Sequence, residues 1–131
     1  MKIRGKLRIL FGVAAFCCLA CGSEDTSGPA PGALRVMLHT PNADDGALLL
    51  TVSGGPIDTV ESAGFSTSVA RMSSTSFRVL IAGDIGNGNI LTLQVPDRHA
   101  VTSYVATVTQ AASRSTFLLQ NPTGYSLLVQ P

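Results

Sequence analysis

The sequence predicts an all-β fold, a two-sheet β-sandwich of about seven to nine strands over residues 33–131, set behind a segment of different character. Three observations predict it. Apolar residues recur at every second position in short runs. These runs are rich in Val, Leu, Ile, Thr and Phe, and clusters of Gly, Pro, Asn, Asp and Ser separate them. A single open sheet of such strands would leave its apolar face in water, so two sheets must close on one another. The length suits one domain.

The elements follow in order. In Leu34–Thr40, alternation puts Leu34, Val36 and Leu38 on one face and Arg35 and His39 on the other, a half-buried strand. Pro41–Gly46 reads as a turn. Ala47–Ser53 returns with Leu48, Leu50 and Val52 together, either as a hairpin partner or as a strand across the sandwich. Gly54-Gly55-Pro56 interrupts, and Ile57–Val60 is a weaker, edge-type strand. Ser66–Ser76, rich in Ser and Thr, reads as a short strand with a loop. Ser76–Ala82 places Phe77, Val79 and Ile81 inward and Arg78 outward; Gly83–Asn89 turns the chain, and Ile90–Val95 returns with Leu91, Leu93 and Val95 inward.

Val101–Thr109 reads as a long strand. A helical alternative over Ala100–Ala112 conflicts with the β-branched residues Val101, Val105, Thr107 and Thr109. Thr116–Gln120 and Tyr125–Gln130 complete the set, and parity assigns Phe77, Phe117 and Tyr125 to the core.

The N-terminal segment has another logic. Lys2, Arg4, Lys6 and Arg8 form a basic start with no acidic residue among them, and Ile9–Ala20 is uncharged and mostly apolar. That apolar run is too short to span a bilayer, which takes about 20 residues, and has the length of an export signal. Leu19-Ala20-Cys21-Gly22 at its end resembles the lipobox of bacterial lipoproteins, with Cys18 where Leu is usual. The resemblance covers about the first twenty-two residues. It implies a signal peptide over 1–20, cleavage before Cys21, and acylation of the Cys21 thiol.

Membrane lipid is then the first partner. An outer-membrane, cell-envelope location is favoured because Gly22, not Asp, follows the acceptor. Cys18-Leu19-Ala20 also has the small-x-small form of ordinary cleavage, which would release a soluble glycan- or protein-binding module instead. Once 1–20 are removed, Cys21 is the sole cysteine and no internal disulfide can form. Residues 22–32 carry no large apolar side chain and read as a flexible tether.

Composition narrows the function classes. Beyond residue 20 five arginines stand against eight acidic residues, a net charge of −3, with no lysine. The clustered basic surface of a nucleic-acid binder is missing. No nucleophile elbow or phosphate loop occurs, and the neutral bases are His39 and His99, the latter beside Asp97. The sequence therefore assigns no catalytic residue and no cofactor. Calcium candidates are Asp44 and Asp45, with Asn42, in one turn and Asp84 and Asn87, with Asn89, in another. Beside glycine these residues read first as turn formers; a site shared by the two turns is the sharper alternative.

Gly83-Asp84 followed by Gly88–Val95 loosely resembles the turn and core strand of cohesin-like sandwiches of bacterial surface proteins. The resemblance spans some twenty residues and implies the fold class. The expected protein is a lipid-anchored, non-catalytic binding or scaffold module of the cell envelope.

Overall fold

The structure is a computed structural model, and it describes residues 28–131. The expected signal peptide, the expected acylation site Cys21 and most of the expected tether lie outside the described residues. Among the described residues nine strands form two antiparallel sheets. They are β1 (Gly32–His39), β2 (Asp45–Ser53), β3 (Thr59–Ser62), β4 (Ser66–Ser73), β5 (Ser76–Ile85), β6 (Gly88–Val95), β7 (Val105–Ser113), β8 (Leu119–Gln120) and β9 (Ser126–Gln130). One sheet has the order β3-β6-β1-β9 and the other β4-β5-β2-β7-β8. Only β4–β5 and β7–β8 are neighbours in both sequence and sheet; every other connection crosses from one sheet to the other. The β1–β2 pair is thus the cross-sandwich alternative, not the hairpin.

The core is built by alternation. Leu34, Val36 and Leu38 of β1 and Leu91, Leu93 and Val95 of β6 face Leu48, Leu50 and Val52 of β2 and Phe77, Val79 and Ile81 of β5. Burying each such side chain contributes about 1.5–3 kcal/mol. Those assignments hold because these strands keep their parity through the core. Tyr125 packs half-buried against the same cluster.

Four expectations are corrected. The strand expected over Val101–Thr109 starts at Val105 and runs to Ser113, while Arg98–Ser103 forms a short 3-10 helix capped by Asp97. Asp97 starts this helix where the sequence reads as a loop: its carboxylate accepts the His99 backbone N–H at 3.0 Å. The strand expected over Thr116–Gln120 shrinks to Leu119–Gln120, because the chain turns tightly through Arg114–Thr116. Phe117 leaves the core altogether, 84 % exposed and in a left-handed backbone conformation at φ 60°. Asp45, read as a turn residue, is the first residue of β2 and fully buried.

The two ends of the sandwich differ. At one, Gly28–Gly32 enter beside the 3-10 helix, where Arg98 N–H donates to Ala30 C=O (2.8 Å) and Ala30 N–H to the Asp97 carboxylate (3.2 Å). At the opposite end lie the β1–β2 and β5–β6 connections, Arg114–Phe117 and the loop before β9. The chain therefore reaches the domain at the end remote from Phe117.

Candidate functional site

The end bearing Phe117 gathers Thr40, Asn42, Ser113, Ser115 and Tyr125 around two aspartates, Asp44 and Asp45. A bulge between Asp45 and Ala47, present against both β5 and β7, turns Asp45 inward although its odd number matches the outward residues of β2. Thr40 Oγ1 donates to Asp45 Oδ2, and the Tyr125 hydroxyl donates to Oδ1 at 2.6 Å. Asn42 Nδ2 in turn donates to the Tyr125 oxygen at 2.8 Å. Both oxygens of the buried carboxylate thus meet hydroxyl donors, the condition for keeping such a group out of water. Burial, with the carboxylate beside it, pushes the Tyr125 hydroxyl above its ordinary value.

Asp44 points the other way and organises the β7–β8 turn. Its Oδ2 accepts from Ser113 Oγ and Ser115 Oγ, each at 2.5 Å, and its backbone carbonyl accepts Arg114 N–H at 2.8 Å. Ser113 and Ser115 hold the carboxyl below its ordinary value, with Arg114 adding to the effect. Between Asp44 and Asp84 sits the Arg114 guanidinium: Nη1 is in close contact with Asp84 Oδ1, and Nε lies 3.7 Å from Asp44 Oδ1. Gly46 makes this approach feasible, since a Cβ there would stand 2.6 Å from Arg114 Cα.

The four calcium candidates therefore share one end of the fold but are spread over separate partners. Asp45 is buried with Thr40 and Tyr125, Asp44 and Asp84 face Arg114, and Asn87 Oδ1 accepts the Thr40 N–H at 2.7 Å. Among the described residues no three His, Cys, Asp or Glu side chains converge as a metal cluster. Asn89 Oδ1 is enclosed without a hydrogen-bond partner. His39 is exposed on β1, and His99 is exposed with Nδ1 3.7 Å from Asp97. Asp97 is engaged by backbone N–H groups of Ala30 and His99, which hold its carboxyl below the ordinary value.

Beside Arg114, a groove of about 430 Å³ opens on the outer face of the five-stranded sheet. Its floor is a cross-strand row of small side chains, Ala82, Ala47 and Ala112 of β5, β2 and β7, with Gly46 and Gly83 at one end and Phe117 as a wall. The same face carries Leu119 (74 % exposed) and Leu80 (44 % exposed). Phe117 is held out by its turn: its N–H donates to Ser113 C=O at 3.1 Å, and Ser113 N–H donates to Leu118 C=O at 2.9 Å. A left-handed aromatic residue costs roughly 1–2 kcal/mol, and here no burial offsets it.

Sequence reasoning missed both features. Thr40, Asn42 and Tyr125 around Asp45 carry no motif, and the bulge that turns Asp45 inward leaves no signal in the alternation. The Ser113-Arg114-Ser115-Thr116 cluster was the available sign that Phe117 follows a turn.

What the fold and this face define is a class, a β-sandwich domain with an exposed apolar sheet face. No family model matches the chain, and neither a curated protein nor a solved structure matches it.

Proposed function

We propose that the protein is a lipid-anchored, non-catalytic binding or scaffold module of the cell envelope, acylated at Cys21 and interacting through the outer face of its five-stranded sheet. The observation that carries this reading is the polarity of the fold. The chain joins the domain beside Asp97, and the Phe117 groove opens towards the opposite end. An anchor at residue 21 then presents that end away from the bilayer.

The tether supports the arrangement: residues 22–32 carry no large apolar side chain that would draw them into a core. Acyl chains contribute about 0.8 kcal/mol per buried methylene, and two or more chains make attachment durable. The face itself combines exposed Phe117, Leu119 and Leu80 with a concave floor, the composition of an interaction surface more than of ordinary solvent-facing sheet.

Replacing Cys21 by Ser tests the anchor. The wild-type protein is expected in the membrane fraction, with the mass of an acylated chain beginning at Cys21; the variant is expected to leave that fraction or accumulate uncleaved. A wild-type protein found free and unacylated would instead establish the soluble alternative.

A further inference from the structure

We infer that the outer face of the five-stranded sheet pairs with the same face of a second copy of this chain, about a two-fold axis running along β2. The inference rests on the reading of that face as the interaction surface and names its partner.

The argument is the asymmetry of the face about β2. In the row of Ala47 and towards the Phe117 end it rises on the β7–β8 side, with Phe117 and Leu119 exposed, and is low on the β4–β5 side, with Ala82, Gly83 and Ser66; Leu80 and Arg78 stand farther along β5. Strand register puts Ser66, Ala82, Ala47, Ala112 and Leu119 in one row across the sheet, with Ala47 at its centre. A two-fold axis parallel to β2, passing over Ala47 midway between the two facing sheets, exchanges the two sides. It lays the raised side of each copy over the low side of the other, an isologous contact in which each knob meets the partner's hole. The small central residues let two sheets approach to the usual spacing of about 10 Å.

Charge follows the same symmetry. Arg114 stands on the raised side and Asp84 on the low side, joined within one copy over Gly46. The axis brings the Arg114 of each copy towards the Asp84 of the other, so one intrachain pair becomes a ring of alternating charges at the rim. Such pairs fix the register and orientation of a contact more than its strength. The axis also places both chain starts at the same end of the pair, as attachment to one membrane requires. The exposed left-handed Phe117, unexplained within a single copy, gains a burial site on its partner.

Sedimentation equilibrium of the full-length protein in density-matched detergent, over micromolar concentrations, tests the inference. The wild type is expected at the mass of two chains, and Ala47→Arg, which fills the centre of the face, at the mass of one with an unchanged β-type circular dichroism spectrum. Arg114→Asp alone and Asp84→Arg alone set like charges opposite each other and should raise the dimer dissociation constant by about tenfold or more, while an equimolar mixture of the two variants, whose opposite charges meet only across the interface, restores it. That rescue decides the matter if Ala47→Arg fails to fold.

A wild type at the mass of one chain throughout, or a dimer indifferent to both Ala47→Arg and the charge reversals, would overturn the inference. An anchored protein that stays at one chain removes the self-pairing and leaves the anchored module. A dimer that never enters the membrane fraction does the reverse.

Discussion

Tyr125 and Asp45 show what a single hydroxyl does in this fold. The tyrosine supplies one of the two donors that make a fully buried carboxylate tolerable. Tyr125→Phe removes that donor while keeping the ring, and should cost about 1–3 kcal/mol, read as a lower denaturant midpoint. Gly54 is a second fixed point. It has φ 124°, and a Cβ there would sit 1.7 Å from Ser103 C=O. Gly54→Ala should therefore cost more than the usual Gly-to-Ala change in a loop, shift the 3-10 helix, and appear as lost near-ultraviolet dichroism from Tyr104. Phe117→Gly has the opposite sign. Relief of the left-handed backbone should raise the stability of the dilute, single-chain protein by about 1 kcal/mol, measured by chemical denaturation. The same change should weaken pairing, so gain and loss separate with protein concentration.

At the scale of elements, regular alternation was legible and its interruptions were not. β1, β2, β5 and β6 present the inward residues that parity assigns, because each buries one face against the opposing sheet. Ile90 breaks the rule, being buried next to Leu91, and β1 has a register shift between Val36 and Met37 just opposite it. β7 breaks it as well. Its buried residues pass from Ala106 to Ala111 and Ser113, changing parity across a bulge that lies opposite Leu49 and Leu50. A bulge adds one residue and reverses every later side chain, and composition does not announce it.

β4 carries no buried residue, so its Ser/Thr-rich sequence gave little pattern to read. Its edge is protected by Arg71, which stacks on Phe77 at 4.5 Å and donates to the Asp58 carbonyl at 3.2 Å. Arg71→Ala should expose that edge and increase aggregation on prolonged incubation, followed by light scattering. The candidate interaction face was hidden for a related reason: alternation marks which residues leave the core, but not that Ala82, Ala47 and Ala112 fall into one row beside a protruding ring.

For the whole molecule, titration ties the two ends of the sandwich to one acid limit. Asp44 at one end and Asp97 at the other both lie below their ordinary value of 3.8 in the folded chain. Their contribution to stability is complete above that value and is lost as the pH falls through the lowered ones. The tyrosines set the alkaline limit. Tyr104 and Tyr125 are raised above their ordinary 10.0, both chiefly by burial. The unfolded chain ionises first, and stability should fall as the pH rises past that value. Thermal unfolding followed across pH should give a plateau between these limits, and Asp97→Asn should flatten its acid edge.

The junction of Ala30 with Asp97 also has a mechanical meaning. It delivers the chain to the start of β1, a strand hydrogen-bonded on both sides, to β6 and to β9. A pull directed from that junction along the strand loads both ladders in shear, so their bonds share the force instead of opening one after another from an edge. With the proposed anchor at Cys21, a domain held at the other end would resist being drawn from its neighbours by the very strand that connects it to that anchor.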